Sequence, residues 1–370
     1  MTNEDLKKAI EKLKDRKIEI EYISKIGEGA WHNVYKMKCH TEEDLVLRIR
    51  KKKAYGQFQV FKEIDLITEY ESSKVYYKQA NQCSFNICPS FFDYYIDESL
   101  VFTVESYMGE GKTLPTLSHS QAFSIGKKLG ETFKFMQDIN PDIKGFGDII
   151  WSGNQLEGEV QQAANDFWQA DNDYYLSILN SLSTSDLTFN RDKVGDMIFN
   201  LIENRRKKQQ KIALVNQDVT PENIILNLDK VSLIDPFPKL DFDLKYAGYF
   251  VFCYKFLLPA YSNTTRYQKH AYDQYSKKLS RIADGFINGY ILNNENLYKR
   301  IVDEYILWTL LEAYEHFEIL NENEVDSKTL QQMGDKKMIK SRLLLCLKEL
   351  ENNSLDYGCS LTKTNLSENH

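Results

Sequence analysis

The order of strand and helix patterns along the chain constrains its fold more than any other sequence feature. Short stretches of alternating apolar residues occur between residues 17 and 108, around one helix-length stretch at 57–79. After Gly111 the periodicity is helical almost throughout, and residues 211–237 are the one β-rich interruption. Short antiparallel strands followed by many helices predict an α+β fold, with a small sheet and a larger helical part.

The same change of pattern divides the chain. We predict an N-terminal helix over residues 1–16, a sheet-containing lobe over 17–108, a helical lobe over 109–352 and a polar tail over 353–370. The chain has 370 residues, of which 42% are hydrophobic, so it can form two or three packed units.

Composition argues against several classes of function. The net charge of -7 disfavours nucleic acid as the main ligand, because phosphate backbones select basic surfaces. No CxxC or HExxH pattern occurs, so we expect reduced thiols and no zinc site. The charged start of the chain and its short apolar segment at 249–261 predict a cytoplasmic protein that does not bind a membrane. The sequence leaves the oligomeric state open.

One polar loop carries the strongest functional signal. Asp218 and Asn223 are five residues apart between two apolar runs, and Asp235 follows the second run. Phosphoryl transfer requires an oriented hydroxyl and a cation that neutralises the charge of the phosphates. Magnesium takes hard oxygen ligands such as carboxylate and amide oxygens and keeps several waters. The loop therefore predicts a phosphoryl-transfer site, although Asp and Asn are also common turn residues.

In these residues the chain resembles the aminoglycoside phosphotransferase family, and more distantly the choline and protein kinases. Those families have a two-lobed kinase-like fold and carry His-x-Asp, an Asn five residues later, and a further Asp. The resemblance implies that Asp218 is the catalytic residue and that Asn223 and Asp235 bind Mg²⁺. It also implies that ATP or GTP donates the phosphate and that a hydroxyl of a small molecule, an aminoglycoside or another polar metabolite, accepts it.

The chain departs from the family pattern at two positions. Asn216 stands where the family has His, and Pro236 follows Asp235 where protein kinases have Phe-Gly. The first departure leaves open a pseudokinase that binds nucleotide without turnover. The second disfavours a protein kinase, as does the small number of residues between Asp235 and the next helix.

The family resemblance also indicates nucleotide-binding residues in the sheet-containing lobe. Gly27 and Gly29 would let the backbone approach the phosphates, although such glycines also occur in ordinary hairpins, and His32 replaces a third glycine of protein kinases. Arg48 would bind the phosphates and would need a carboxylate partner on the following helix. The candidates are Glu63, Glu69 and Glu71, and we expect Glu69.

The nucleobase and the acceptor have weaker sequence signals. By resemblance, Glu105 and Tyr107 lie in the hinge and would bind the nucleobase through their main chains. The acceptor-binding residues are unknown. The available acids and aromatics, each of which could equally be solvated or buried, are Asp241, Asp243, Trp308, Glu312 and Glu315.

Overall fold

The computed structural model describes residues 3–40, 43–54, 57–84, 86–226 and 230–352. The chain forms two compact units. Unit 1 comprises Met1–Gln162, Ile212–Asp243 and Lys277–Tyr290, and unit 2 comprises Ala163–Lys211, Leu244–Ser276 and Ile291–His370. These units group the residues differently from the lobes expected from the sequence, whose boundaries stay a prediction.

Unit 1 contains every strand of the described residues. The strands are β1 Ile20–Glu28, β2 His32–Cys39, β3 Leu45–Arg50, β4 Lys53–Ala54, β5 Gln57–Phe58, β6 Phe92–Asp97, β7 Leu100–Ser106, β8 Phe146–Ser152, β9 Gln155–Val160, β10 Ile212–Asn216, β11 Ile224–Leu226, β12 Val231–Leu233 and β13 Pro238–Phe242. Its helices are α1 Asn3–Asp15, α2 Glu63–Cys83, α3 His119–Asp138 and most of α8, whose bounds are Ser276–Ile291.

A five-stranded antiparallel sheet, in the order β1-β2-β3-β7-β6, forms the first part of unit 1. Side chains alternate between the two faces of a strand, so each face has its own composition. One face is apolar and packs on Ala9 and Leu13 of α1, through residues such as Leu47 and Phe102. The opposite face carries Arg48, Arg50, Thr103 and Glu105, and α2 packs against it through Leu66 and Tyr70.

A second sheet shows where the sequence analysis was wrong. The order of this four-stranded sheet is β10-β13-β8-β9, so strands before and after the loop with Asp218 are joined in it. We expected helical structure from Gly111 onward except at residues 211–237, and therefore missed the β8–β9 hairpin and β13. The glycines at 147 in β8 and 158 in β9 weaken the apolar alternation of these strands, and β13 begins at a proline.

The regular secondary structure of unit 2 is helical in its described residues. Its helices are α4 Ala164–Ser183, α5 Arg191–Arg206, α6 Asp243–Phe252, α7 Leu258–Ala260, α9 Glu295–Asn321, α10 Ser327–Met333 and α11 Lys336–Asn352. A π-helical turn, Cys253–Leu257, joins α6 to α7. Across the described part of the chain, none of the helices combines the length and the apolar character that a membrane span requires.

Candidate active site

Arg48 and Glu105 form a buried ion pair on the polar face of the first sheet. Arg48 Nε donates to Glu105 Oε1 at 2.7 Å, and the Glu105 residue is only 2% exposed. Arg48 Nη1 lies 3.7 Å from Asp235 Oδ2. Burial alone would lower the pKa of Arg48, but the charges of Glu105 and Asp235 outweigh burial and raise this pKa. Arg48 is therefore a permanent cation beside Asp235.

Glu69 has a different partner from the one we expected. Its two carboxylate oxygens accept hydrogen bonds from Arg50 Nη1 at 3.0 and 2.9 Å, whereas Arg48 pairs with Glu105. Arg48 and Arg50 lie two residues apart on β3 and so face the same side of the sheet. The expectation that Glu69 would pair with Arg48 was therefore wrong, and its partner is the next arginine on the same face of β3. Glu71 instead accepts a hydrogen bond from the Tyr94 hydroxyl.

Tyr77 of α2 connects this ion pair to Asp235. Its hydroxyl donates to Glu105 Oε2 at 3.0 Å and accepts the backbone N–H of Asp235, also at 3.0 Å. The Tyr77 residue is 3% exposed, and burial raises its pKa well above the ordinary value of a tyrosine. The hydroxyl therefore stays protonated and can serve as donor and acceptor at once.

Asn216 ties the loop of Asp218 to the loop of Asp235. Its Oδ1 atom accepts the backbone N–H of Asp218 at 3.0 Å and that of Phe237 at 2.9 Å. The N–H of Gln217 also donates to the carbonyl of Phe237, at 2.9 Å. Asn216 is buried, and Tyr76 hydrogen-bonds its side chain. The two loops are therefore fixed to each other by this amide side chain and by the backbone hydrogen bond from Gln217 to Phe237.

Asp218 begins a tight polar turn. Its Oδ1 atom accepts hydrogen bonds from the hydroxyl and the N–H of Thr220, at 2.9 and 3.3 Å. A 3₁₀ turn, Pro221–Asn223, follows, and the N–H of Asn223 donates to the Thr220 carbonyl. This geometry holds one carboxylate oxygen of Asp218 against its own turn.

Asn223 and Asp235 flank the hairpin formed by β11 and β12. Ile224 pairs with Leu233, and the N–H of Ile234 donates to the Asn223 carbonyl at 2.9 Å. Asp235 has a left-handed backbone, with φ of +50°, and its side chain is 51% exposed. The hairpin thus places Asn223 beside Ile234, the residue before Asp235. An amide and an accessible carboxylate are a donor set that suits Mg²⁺ with waters completing its shell. Among the described residues no group of three or more His, Cys, Asp or Glu side chains could hold a metal ion.

The glycines at the turn between β1 and β2 have few neighbouring atoms within the chain. A Cβ atom on Gly29 would meet nothing within 4 Å, and one on Gly27 would make only an ordinary contact with Val34. Lys51 Nζ holds the turn by donating to the Gly29 carbonyl at 2.8 Å. Neither glycine is therefore required by packing within the chain, which leaves their role in approaching a ligand a prediction.

His32, at the position of the absent third glycine, belongs to the polar face. It pairs with Arg50 across β2 and β3, so both side chains project to the same side. Its Nε2 atom is buried and has no hydrogen-bond partner within the described residues. Burial lowers the pKa of His32 to about 4, although the charge of Asp235 opposes this shift. His32 is consequently neutral near pH 7.

The backbone hydrogen bonds at the end of β7 differ from those expected for nucleobase binding. The N–H of Tyr107 donates to the Asp44 carbonyl at 2.9 Å, and the N–H of Ser106 donates to the Phe91 carbonyl. Tyr107 therefore has no amide available for a nucleobase. In the part of the chain that the structure describes, the N–H of Met108 makes no hydrogen bond. Glu105, which we expected to act through its main chain, also acts through its side chain, because its carboxylate holds Arg48.

The acids considered for acceptor binding have diverse environments. In unit 1, Asp241 is buried on β13 and accepts the N–H of Phe242 at 2.8 Å, and Asp243 begins α6. In unit 2, Glu312 is buried and accepts the Tyr261 hydroxyl, whereas Glu315 is exposed.

Trp308, the aromatic candidate, is half-buried in unit 2. Its Nε1 atom donates to the Lys245 carbonyl at 2.8 Å, and its ring centroid lies 4.5 Å from that of Tyr249. Each of these acceptor candidates stays a prediction.

Sequence analysis missed three contributors to the site: Tyr76, Tyr77 and the side chain of Glu105. The alternation along β7 could have placed Glu105 on the face of Thr103 and Arg48. The tyrosines gave no such signal, because a Tyr-Tyr pair inside an amphipathic helix is ordinary core composition.

The structure is similar to those of solved small-molecule kinases. A thermostable mutant of the aminoglycoside phosphotransferase APH(4)-Ia, in ternary complex with AMP-PNP and hygromycin B, aligns at a TM-score of 0.51 with 14% identity, over 92% of this chain and 98% of that chain. A second mutant, with ADP and hygromycin B, aligns at 0.50 with 14% identity and the same coverage. A choline/ethanolamine kinase family protein from Mesorhizobium loti aligns at 0.47 with 15% identity, over 91% of this chain and 92% of that chain. No protein-family model and no curated protein matches the sequence.

The two structures that align at TM-scores of 0.50 and 0.51 confirm the predicted fold. The chain has an antiparallel sheet in its N-terminal part and a larger helical C-terminal part. Its fold is the kinase-like α+β fold of the aminoglycoside phosphotransferases.

Proposed function

We propose that this chain is a small-molecule kinase, which transfers the terminal phosphate of ATP or GTP to a hydroxyl group of a polar acceptor. The observation that supports this best is a junction of backbone segments that carry Asp218, Asn223 and Asp235, with Arg48 beside Asp235. Asn216 accepts the N–H groups of Asp218 and Phe237, and the Asn223 carbonyl accepts the N–H of Ile234. The kinase-like fold supports the same proposal, as do similar solved structures that hold a nucleotide together with hygromycin B.

Each residue of the junction has a role in this proposal. Asp218 orients the acceptor hydroxyl and takes its proton as the hydroxyl oxygen bonds to the terminal phosphorus. The bond from this phosphorus to the bridging oxygen breaks, and the nucleoside diphosphate leaves. Asn223 and Asp235 would hold Mg²⁺, which when bound neutralises charge on the phosphates. Arg48 binds the phosphates as a buried cation whose position Glu105 fixes. Gly27 and Gly29 let the loop approach the nucleotide, and Glu69 acts indirectly by holding Arg50.

The nucleobase would bind at the end of β7. We assign the donor to the N–H of Met108, because the amides of Ser106 and Tyr107 are already bonded. The carbonyl groups of this segment supply acceptors, and the base edge they select decides between ATP and GTP.

The expected acceptor is a polyhydroxylated and cationic small molecule, such as an aminoglycoside. The net charge of -7 is consistent with a cationic acceptor. Exposed charges are screened over about 8 Å at physiological ionic strength, so the Michaelis constant for a cationic acceptor should rise with salt. The Michaelis constant for a neutral sugar should barely change.

A phosphorylation screen over hydroxyl acceptors tests the proposal. We expect turnover with a small molecule, and a loss of about a hundredfold or more in the Asp218→Asn variant, which still binds nucleotide. Asp65→Asn is the matched control, because the Asp65 side chain is 68% exposed on α2. Nucleotide binding with no turnover would favour a pseudokinase, and phosphorylation of proteins alone would favour a protein kinase.

A further inference from the structure

We propose that Tyr77 is a positioning residue that fixes Asp235 for a divalent cation. Helix α2 would then support the metal-binding loop through a tyrosine hydroxyl, while its glutamate at position 69 binds Arg50 instead of Arg48. This inference rests on the proposed role of Asp235 in binding Mg²⁺.

A chain of hydrogen bonds of defined direction joins Tyr77 to its partners. The N–H of Asp235 can only donate, and the ionised carboxylate of Glu105 can only accept. The Tyr77 hydroxyl stands between them, since it accepts from Asp235 N and donates to Glu105 Oε2, each at 3.0 Å. Glu105 Oε1 receives Arg48 Nε at 2.7 Å. The phosphate-binding cation and the backbone of Asp235 are therefore held by one network.

The backbone amides of the segment from Ile234 to Phe237 are fully accounted for. The N–H of Ile234 donates to the Asn223 carbonyl, and that of Phe237 donates to Asn216 Oδ1. Pro236 has no N–H, so the amide of Asp235 is the one remaining donor, and among the described residues Tyr77 alone accepts it. Tyr77 is also the one contact among these three that comes from helix α2.

This contact matters because the backbone of Asp235 is in an unfavourable conformation. A left-handed φ of +50° is disfavoured for residues other than glycine and persists only where neighbouring contacts hold it. Removal of the Tyr77 hydroxyl would free the peptide group that precedes Cα of Asp235. The exposed carboxylate would then move relative to Asn223 and Arg48, and the cation would lose affinity.

The Tyr77→Phe variant tests the proposal. It removes one hydroxyl and keeps the ring, which packs edge-on against Phe92 with centroids 5.4 Å apart. Tyr94→Phe is the matched control, because its hydroxyl also joins α2 to the sheet, by donating to Glu71 at 2.8 Å. We would measure Mn²⁺ binding by electron paramagnetic resonance with AMP-PNP present, and AMP-PNP binding by calorimetry without metal.

We expect Mn²⁺ affinity to fall roughly three- to tenfold in Tyr77→Phe, which is the range of one net buried hydrogen bond. Metal-free AMP-PNP binding should change little, and Tyr94→Phe should match the parent in both measurements. Equal Mn²⁺ affinity of Tyr77→Phe and parent would overturn this proposal alone. Failure of the parent to bind Mn²⁺ would overturn both this proposal and the proposed function.

Amide hydrogen exchange of the parent provides a second measurement that does not depend on the folding of a variant. The exposed Asp235 should have a protected N–H, because a buried hydroxyl accepts it. If this N–H exchanges at the rate of an unbonded amide, Tyr77 does not hold Asp235.

Discussion

The buried pair of Arg48 and Glu105 should be one of the most strongly coupled pairs in unit 1. The side chains of Arg48 and Glu105 are 12% and 3% exposed, so solvent screens their attraction little. We consider the variant Glu105→Ala, which removes the hydrogen-bond acceptor of both Arg48 Nε and the Tyr77 hydroxyl.

The expected loss of stability in Glu105→Ala follows from the charge of Arg48, which stays buried. Removal of one partner of a buried ion pair costs about 3–5 kcal/mol, because the other charge stays buried without compensation. Arg48 keeps a weaker partner, since Asp235 lies 3.7 Å away and is half exposed. We therefore expect a loss at the lower end of this range, about 3 kcal/mol.

A double-mutant cycle separates this coupling from the loss of packing. The cycle compares Glu105→Ala, Arg48→Met and the double variant by urea unfolding, and follows amide exchange in β3 and β7 to report on the sheet itself. The double variant should be more stable than the sum of the two single losses predicts, by about 1–3 kcal/mol. Lys127 and Glu131 serve as the control pair, because their charged atoms are 3.9 Å apart on the surface of α3, where coupling is below about 1 kcal/mol.

Additive losses within about 0.5 kcal/mol would refute the reasoning. Such a result would mean that Arg48 and Glu105 are solvated independently in the folded protein. A large loss for Arg48→Met with none for Glu105→Ala would refute it as well, because it would make Asp235 the principal partner of Arg48.

Three further predictions concern buried polar groups. Burial raises the pKa of Glu312 from its usual 4.5 to about 7, so the folded state binds this proton more tightly and stability falls as pH rises between these values. In Glu312→Gln, the difference in Tm between pH 5 and pH 8 should shrink; an unchanged difference would contradict this. Arg205→Met leaves Glu304 buried without its guanidinium and should cost about 3–5 kcal/mol in urea unfolding, and a loss below about 1 kcal/mol would contradict it. Asn216→His should lower kcat rather than restore a family feature, and an increase would show that Asn216 does not brace the two loops.

The fold could be predicted largely from the sequence. Alternation of apolar residues indicated the strands of the first sheet, and the helical stretch at 57–79 corresponds to α2 at Glu63–Cys83. These patterns are local, because a half-buried strand or helix shows its period in its own sequence. The β8–β9 hairpin and β13 were missed because β8 and β9 contain glycine and β13 begins at a proline.

The residues of the candidate site could be predicted better than their partners. Asp218, Asn223 and Asp235 were indicated by spacing, and the hairpin and Asn216 bring them together. The partner of Glu69 could not be derived in this way, because Arg48 and Arg50 share a face of the sheet and a glutamate on α2 can contact either of them. Which arginine the glutamate contacts depends on where the helix packs along the sheet. This position is a tertiary feature, and no local sequence pattern indicates it.

Asn216 stands where the resembled families have His, which by itself would favour a pseudokinase. The contacts of Asn216 weaken that argument. One oxygen of Asn216 accepts two backbone amides, from Asp218 and Phe237. A neutral imidazole has a single acceptor nitrogen, and an imidazolium has none. Asn is therefore suited to this junction in a way that His is not, because Oδ1 has two lone pairs for two donors. Asn216 thus joins the loops of Asp218 and Asp235 together with the backbone hydrogen bond from Gln217 to Phe237. The proposed transfer site requires that these loops be joined.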